Sequence, residues 1–517
     1  MAPSVVYLPD GQYFTVQPVF SGLFFKLNDA QQSSHPAPYP AGWTVVLHSE
    51  DNVENHVDGL TIQDDDDEAR SRRSHSHRYS KPTLQNDTLF ISSISNPSST
   101  DPPASASRQI ALMLWITLYW YFHQTEPSPY TETKSSRATP LEAKPRGDWR
   151  IRIKRDGVLR TRNMIPKLER MGLITSMDTS VGTGPEAGTQ GWDTMYVTRS
   201  VFWQIPSGLF LFNLQTHRQN SIPGSPLPTS RPTSPVRNEV AQQNINSASH
   251  AHTHHLSVDS IQLPQPITST PTFPIGPYFS PSRLPTYYPP PPLRYTVTGG
   301  VRHPIRPKPP QMGEVFYARY IPSTGKYLSI RVASSSPRPV NYFGPVADAE
   351  REHAHLMNLS DTSLMQMWLS NPRVSKFWGE FHAEFLTNAL KSQHSFPAIA
   401  MWDGVPFAYF EIYWVKEDIL GQALGHEVGD FDRGFHVLVG EEWARGKVSL
   451  WMSSLVHWAW QNDYRTSNVW LEPRVDNHKF LQRLLENGFA KIRTVAFPHK
   501  QASACRLSRE AWDGPAI

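Results

Sequence analysis

Cysteine is almost absent from this chain, which has a single one, Cys505, among 517 residues. One thiol excludes an internal disulfide and a multi-thiolate metal site, and such scarcity is typical of a reducing compartment. Long hydrophobic runs are also missing, since the most apolar stretch, residues 110–122, is about 13 residues long, and a membrane-spanning helix needs roughly 20. The first residues show no secretory signal and the last three, Pro515-Ala516-Ile517, are not a peroxisomal ending. We therefore expect a cytoplasmic protein.

An excess of one charge is the third thing missing. The chain has 49 basic and 46 acidic residues, a net charge of +3, which gives no electrostatic reason to expect nucleic acid as a partner. Proline is abundant instead, with 47 residues, while apolar residues make up only 38%. The length predicts two or three domains, and the composition predicts that part of the chain is not folded.

Residues 1–215 are predicted to form a small α+β domain. An apolar helix at 110–122 accompanies strand-like runs, and the loops near 58–87 and 125–147 are predicted to be disordered. The predicted strands of this half lie at 13–16, 42–47, 88–91, 149–153, 194–197 and 208–212. No cluster of side chains in this half suggests chemistry.

Residues 216–311 are rich in proline, serine and threonine and are predicted to be a disordered linker. Four histidines within it could catch a metal: His250, His252, His254 and His255. In a segment of this composition we interpret them as solvent-exposed side chains, and we predict no metal site.

Residues 312–517 regain regular periodicity and are predicted to form a second α+β domain. Strands are predicted at 314–321, 327–332, 398–402, 406–414, 434–440, 469–471 and 493–497, and helices at 361–369, 380–390, 448–461 and 478–486. Residues 373–380 are predicted to be a loop that exposes aromatic and charged groups together, after Pro372 ends the preceding helix.

The stretch from Gly434 to Asn477 has the order strand, turn, helix and strand. Such a βαβ unit places a helix N-terminus where an anionic ligand can bind. His436 lies in its first strand and Asp476 follows its second. Taken alone, His436 fits a hydrogen-bonded core residue and Asp476 fits the cap of the next helix.

Four segments of this half carry a resemblance to a known family. They are Asn371 to Glu380 (NPRVSKFWGE), Phe410 to Trp414 (FEIYW), Gly434 to Gly440 (GFHVLVG) and Leu471 to Asn477 (LEPRVDN). With the order of elements, they resemble the siderophore branch of the GNAT acyltransferases, which includes the aerobactin, mycobactin and fungal hydroxyornithine acyltransferases. The resemblance implies a mixed sheet flanked by helices over about the last 200 residues. It also implies that the N-terminal half is a degenerate second copy of the fold.

The resemblance implies acyl transfer from coenzyme A to the hydroxylamine nitrogen of N5-hydroxyornithine or N6-hydroxylysine, which forms a hydroxamate for iron chelation. Leu438, Val439 and Gly440 would present backbone groups to pantetheine, and Arg445, Gly446 and Lys447 would meet the pyrophosphate. The usual loop, Arg-x-x-Gly-x-Gly or Ala, keeps its arginine here but has lost both later glycines. Their loss is common in the siderophore branch and argues against a generic protein acetylase.

His436 is the predicted general base, because imidazole titrates near neutral pH. Asp476 would orient His436, bind the hydroxylamine hydroxyl or cap the next helix. Five further residues either shape the amino-acid pocket or simply pack in the fold: Lys376, Trp378, Glu380, Glu411 and Tyr413.

The predicted protein is therefore an acyl-CoA-dependent N-acyltransferase in siderophore synthesis, with a small hydroxy-amino acid as substrate and no metal. Transfer to an ordinary amine, or a non-catalytic scaffold with a proline-rich recruiting segment, are the alternatives. The absence of a peroxisomal ending favours an acetyl donor over an anhydromevalonyl donor.

Overall fold

The computed structural model describes residues 4–20, 22–28, 41–50, 76–95, 106–161, 163–176, 195–208 and 293–517. Within them two large sheets carry helices, so the predicted α+β class is confirmed for both halves. The predicted histidine-rich patch and the predicted strand residues 209–212 lie outside the described residues.

The N-terminal half is one twisted sheet with a buried helix. Its strands are β1 Ser4–Tyr7, β2 Tyr13–Val19, β3 Gly22–Asn28, β4 Gly42–Glu50, β5 Ser76–Arg78, β6 Asp87–Ser95, β7 Arg150–Ile153 and β8 Tyr196–Thr198. Its helices are α1 Ala106–Tyr121, α2 Met164–Arg170 and α3 Arg199–Gln204. The order is β1-β2-β3-β4-β6-β7-β8, with β5 beside β4.

Helix α1 is the predicted apolar helix and lies in the core of this half. It has 16 residues, and Ile110 to Phe122 are all buried. No helix in the described ranges combines the length and hydrophobicity needed to cross a bilayer.

The C-terminal half forms an eight-stranded sheet, preceded by a hairpin of β9 Tyr295–Thr298 and β10 Val301–Pro304. Its strands are β11 Val315–Ile321, β12 Lys326–Val332, β13 Ser395–Trp402, β14 Val405–Trp414, β15 Arg433–Val439, β16 Asn468–Leu471, β17 Ala490–Ala496 and β18 Gln501–Ser508. Its helices are α4 Asp361–Leu369, α5 Pro372–Trp378, α6 Phe385–Leu390, α7 Ile419–Leu424, α8 Val448–Asn462 and α9 His478–Glu486. The order β11-β12-β13-β14-β15-β16-β18-β17 is antiparallel except between β15 and β16.

The predicted βαβ unit is confirmed as β15, α8 and the parallel strand β16. A 3-10 turn over Glu442–Lys447 leads into α8. The N-terminal half repeats this order, since β6, α1 and the parallel strand β7 follow an antiparallel meander. This repetition agrees with the expected degenerate second copy.

The two halves share one hydrophobic core rather than two separate ones. His457 of α8 links them, with its Nδ1 2.9 Å from the Tyr317 hydroxyl and its Nε2 2.7 Å from the carbonyl oxygen of Trp203 on α3. The rings of Trp203 and His457 meet edge to face. The helix that carries the βαβ turn is therefore packed against the N-terminal half.

The prediction of a loop at 373–380 is wrong, because residues 372–378 form helix α5. Proline at the first position of a helix costs nothing, since that N–H has no intrahelical partner. The Asn371 side chain caps the helix by accepting from the Arg373 N–H at 3.0 Å. The next helix begins at Phe385, not at residue 380, and the last strand, β18, has no counterpart in the sequence prediction.

Three segments predicted to be disordered are ordered where the structure describes them. Backbone hydrogen bonds from Thr131 to Pro145 and from Gly147 to Pro129 close the segment near 125–147. In the loop predicted at 58–87, residues 76–78 pair with β4, and 58–75 lie outside the described residues. In the predicted linker, residues 216–292 lie outside the described residues, but 295–304 form the β9–β10 hairpin. Arg306, just after the hairpin, forms a bidentate pair with Glu417 at 2.6 and 2.7 Å.

Candidate active site

A cleft opens where β15 and β16 separate. The two strands pair only at Arg433 with Val469 and at Gly434 with Trp470, so the remainder of β15 has no strand partner on that side among the described strands. The cleft has a volume of about 990 Å³ and is lined by β15, α5, α9, the start of α8 and the β17–β18 turn. Its size and position are those of a ligand site.

His436 lies at the inner wall of this cleft, between two carboxylates. Its Nδ1 is 3.0 Å from Glu411 Oε2 and its Nε2 is 2.7 Å from Glu472 Oε1. Glu411 is the register partner of His436 on β14, and Glu472 follows the last residue of β16. Both ring nitrogens therefore donate, which is the hydrogen bonding of an imidazolium.

This arrangement changes the titration of His436. Burial alone would lower its pKa, but the charges of Glu472 and Glu411 outweigh burial and raise the pKa to about 10. Burial would raise the pKa of Glu472, but His436 and Lys500 lower it to about 2. Instead of the titration near neutral pH that its residue type suggests, His436 has two carboxylates beside it that stabilise its charged form.

Two tyrosines complete the cluster from β14. The Tyr409 hydroxyl donates to Glu411 Oε1 at 2.9 Å and the Tyr413 hydroxyl donates to Glu472 Oε2 at 2.8 Å. Burial, reinforced by these carboxylates, raises the pKa of both phenols well above the usual value. They therefore stay neutral donors, and the structure brings the predicted residues Glu411 and Tyr413 to His436.

Gly434 is explained by the same tyrosine. A Cβ added at Gly434 would lie 2.2 Å from Cζ of Tyr413, so only glycine lets the ring lie flat enough to reach Glu472. The Tyr413 and His436 ring centroids are 4.5 Å apart. The glycine of this motif therefore serves the cluster through close packing.

Of the three candidates on this segment, Trp378 lines the cleft, whereas Lys376 and Glu380 do not. The Trp378 Nε1 donates to the Val437 carbonyl oxygen at 3.3 Å, and its ring meets the His436 ring edge to face. Because residues 372–378 are helical, neighbouring side chains point in different directions. The Lys376 ammonium lies 5.5 Å from the Phe377 ring, and Glu380 is exposed beyond the helix.

Asp476 forms an ion pair with Arg474, at 2.6 Å and 2.9 Å, and does not touch His436. The predicted orienting role is taken by Glu411 and Glu472, and the predicted cap of α9 is provided by Asn477, whose Oδ1 accepts from the Phe480 N–H. Arg474 also donates to the Lys376 carbonyl oxygen at 3.1 Å. Asp476 therefore holds an arginine that lines the cleft.

Backbone groups of β15 alternate between β14 and the cleft. The Val437 carbonyl oxygen points to Trp378 across the cleft side, which places Val439 on the same side and Leu438 towards β14. The Gly440 N–H donates to the Phe407 carbonyl oxygen at 3.0 Å. Of the three predicted backbone contacts for pantetheine, only Val439 has the required direction.

Gly440 is a glycine for another reason. A Cβ there would lie 2.2 Å from Trp368 ring atoms. Glycine therefore lets α4 pack against the end of β15, at the point where the strand gives way to the turn.

The turn before α8 separates the three residues predicted to meet a pyrophosphate. Arg445 lines the cleft, and a Cβ at Gly446 would meet nothing within 4 Å. Lys447 instead lines a separate hollow, with its ammonium 5.1 Å from the Trp402 ring and 5.7 Å from the Trp443 ring. The structure thus removes Lys447 from the cleft.

Several charged residues of the cleft were not predicted. They are Glu472 in the cluster, and Arg373, Lys479, Arg483 and Lys500 around it. A signal existed for Glu472, because it directly follows a strand whose end borders the site. In the described part of the chain, no group of three or more His, Cys, Asp and Glu residues could hold a metal ion.

Comparisons with known proteins agree with this site. Residues 358–497 match the family model described as an acetyltransferase (GNAT) domain. The N5-hydroxyornithine acetylase sidL of Beauveria bassiana is 52% identical over 97% of this chain and 100% of its own. Two further relatives match a smaller part. The N(6)-hydroxylysine O-acetyltransferase of Escherichia coli is 36% identical over 40% of this chain and 59% of its own. The N(5)-hydroxyornithine:cis-anhydromevalonyl coenzyme A-N(5)-transacylase SIDF of B. bassiana is 35% identical over 44% of this chain and 51% of its own.

The similarity to the acetylase extends through both sheets and through the cleft between β15 and β16. The likeness thus covers the whole fold and not only the matched domain. The protein is an acyltransferase and belongs to the GNAT-type enzymes that acylate hydroxy-amino acids in siderophore hydroxamate formation.

Proposed function

We propose that the protein transfers an acetyl group from acetyl-CoA to the hydroxylamine nitrogen of N5-hydroxyornithine. The observation that carries the chemistry is the cluster of His436, Glu411 and Glu472 where β15 and β16 separate. The choice of acceptor and donor is supported by the relative at 52% identity, which is named an N5-hydroxyornithine acetylase.

The cleft suits coenzyme A. Backbone groups of Val437 and Val439 face its open side, and Arg445 and the uncapped N-terminus of α8 border it. Extended pantetheine amides would bond to the strand as an added β-strand does. A pyrophosphate would meet the N-terminus of α8, which has no side-chain cap, and the arginine beside it.

The charged state of His436 points to a division of tasks in the cluster. We infer that His436 acts as a cation that fixes Glu472, while Glu472, which faces the cleft, accepts a hydrogen bond from the hydroxylamine. The nitrogen lone pair attacks the thioester carbonyl carbon, the carbon–sulfur bond breaks, and one proton moves from nitrogen to the thiolate. A nitrogen that has begun to bond to carbon is strongly acidic, so a weakly basic carboxylate is enough to pass this proton on.

Asp476 remains in the proposal as the residue that positions Arg474 beside the acceptor. An arginine held by a bidentate pair has little rotational freedom, so it can contact the substrate in one geometry. The single cysteine, Cys505, is a free thiol, as in proteins of a reducing compartment. We therefore propose that the enzyme acts in the cytoplasm and serves iron acquisition.

A product assay with purified protein tests the proposal. Acetyl-CoA and anhydromevalonyl-CoA are each offered with N5-hydroxyornithine, N6-hydroxylysine or ornithine, and free thiol, product mass and ferric hydroxamate colour are recorded. We expect fastest turnover with acetyl-CoA and hydroxyornithine, and a coloured ferric complex. Equal rates with ornithine would favour an ordinary amine acceptor, and thiol release with an acetylated hydroxyornithine that gives no colour would show acylation on oxygen.

A further inference from the structure

The polar face of helix α9 forms one wall of the cleft. Lys479, Gln482, Arg483 and Glu486 line the cleft at spacings of three and four residues, which places them in one row along the helix. The opposite side of the helix is apolar, with Leu484 fully buried. The row faces the cleft into which Arg445 and the start of α8 also project.

The charges in this row are unequally satisfied. Arg483 Nη1 lies 2.8 Å from Glu486 Oε2, and the Gln482 amide donates to Glu486 Oε1 at 2.9 Å. Lys479 has no hydrogen bond or ion pair within the described ranges. Its ammonium is therefore the one in this row that can take an anion without first leaving a partner.

The turn before α8 offers fewer cations than its sequence indicates. Lys447 points away from the cleft into the hollow beside Trp402 and Trp443, so Arg445 is the side-chain cation that the turn contributes. Coenzyme A carries two phosphate groups in its pyrophosphate and a third on the ribose. One arginine and a helix N-terminus suit the pyrophosphate, which leaves the dianionic ribose phosphate to be neutralised elsewhere.

We propose that Lys479, with Arg483 beside it, binds the 3′-phosphate of coenzyme A, so that α9 selects coenzyme A over its dephosphorylated form. This inference rests on the proposed function, since it assumes that the cleft holds coenzyme A. A phosphate monoester attracts Arg483 away from Glu486, because a dianion competes well with a single exposed carboxylate.

Calorimetry on the full-length protein tests the proposal, with coenzyme A and 3′-dephospho-coenzyme A as the two probes. We expect the natural protein to bind coenzyme A about tenfold more tightly, the range of one charge-assisted contact at a partly exposed site. Lys479→Ala should bind the two probes nearly equally, and Lys479→Arg should restore the preference. Lys447→Ala is the matched control and should keep the full preference.

The possible failures are distinguishable. If Lys479→Ala keeps the natural preference, or if Lys447→Ala abolishes it, the 3′-phosphate does not bind at α9 and the inference is overturned. Equal binding of both probes by the natural protein also overturns it while leaving the proposed function intact. No binding of either probe contradicts the proposed function and the inference together. The melting temperature of each variant shows whether a loss of binding reflects unfolding.

Discussion

The two halves of the molecule share a strand–helix–strand order but only one of them is open. In the C-terminal half, β15 and β16 separate after two residue pairs and leave a cleft. In the N-terminal half, β6 and β7 pair over three residues, and Lys154 then continues the pairing with Leu89. The same topology can therefore serve as an enzyme or as a support, depending on what fills the gap between the strands.

A turn at residues 157–160 fills the gap in the N-terminal half. Gly157 has φ of +55°, and a Cβ there would lie 2.2 Å from the Ile91 carbonyl oxygen of β6. The turn can reach β6 because this position has no side chain. Where the C-terminal half leaves backbone groups for a ligand, the N-terminal half covers them with its own chain.

Each half has a strand histidine beside a glutamate, His436 and His48, and the pKa values of the two are shifted in opposite directions. His436 lies between two carboxylates, and its pKa is raised. His48 lies 3.6 Å from Glu50, but burial and the neighbouring Lys154 lower its pKa. Glu50 is shared with Arg152 at 2.6 Å and Lys154 at 2.8 Å. A histidine beside a glutamate is thus not a site in itself, because the surrounding charges decide its protonation.

The largest effect is expected from Glu472→Gln, which removes the main counter-charge of His436 while keeping the shape of the side chain. We expect kcat/KM to fall about 10²-fold to 10⁴-fold, the usual range for a group that handles a proton, as measured by thiol release at saturating acetyl-CoA. The matched change Glu50→Gln in the N-terminal half should leave kcat unchanged. A similar loss in both variants would mean that the cluster acts through stability.

In the N-terminal half, Gly157→Ala should destabilise the fold by about 2 to 4 kcal/mol, because it adds left-handed backbone strain to a clash with the backbone of β6. Denaturant unfolding measures this change. Gly446→Ala is the control, because its Cβ would meet nothing within 4 Å, and its stability should change by less than about 0.5 kcal/mol. An undiminished stability of Gly157→Ala would show that the turn does not close on β6.

The pH dependence of stability should show the His436 and Glu472 pair. The pKa of His436 is raised from 6.5 to about 10, so its contribution is complete below pH 6.5 and is lost as the pH rises through 10. The pKa of Glu472 is lowered from 4.5 to about 2, so its contribution is complete above pH 4.5 and is lost as the pH falls through 2. The urea midpoint should therefore be highest between about pH 4.5 and 6.5, and the alkaline loss should be smaller in Glu472→Gln, in which Glu411 remains beside His436.

The smallest effect is expected from Asp476→Asn. Asp476 lies at the surface and its pair with Arg474 is screened by solvent, so KM for the acceptor should rise only about twofold to fivefold. Steady-state kinetics with hydroxyornithine measures this. A loss of kcat as large as that of Glu472→Gln would place Asp476 in the chemistry rather than behind Arg474.

Local patterns predicted what local physics determines. An apolar run gave most of α1, periodicity gave α8 and α9 with nearly their observed bounds, and the strands predicted at 398–402 and 406–414 are β13 and β14. Helix α5 was missed because Pro372 suits both the end of one helix and the start of another. Only the cap at Asn371 distinguishes these, and a cap is visible from geometry rather than from spacing.

The partners of His436 depended on tertiary structure that sequence spacing does not report. Asp476 was expected beside His436 because it follows the neighbouring strand. Glu472 is closer to the end of that strand, and it is the residue that contacts the His436 ring. Lys447 was expected in the cleft with Arg445, yet the 3-10 turn rotates it towards Trp402 and Trp443. Strand order and helix type decide both outcomes.

The contact between His457 of α8 and Trp203 of α3 joins the two halves, so it should affect thermal unfolding. Since α8 belongs to the cleft at one end and packs on α3 through Trp203 at the other, one cooperative unit should include both sheets. We expect a single calorimetric transition rather than two. A substitution that loosens the N-terminal half would then lower the thermal stability of the whole enzyme, although none of the described residues of that half lines the cleft.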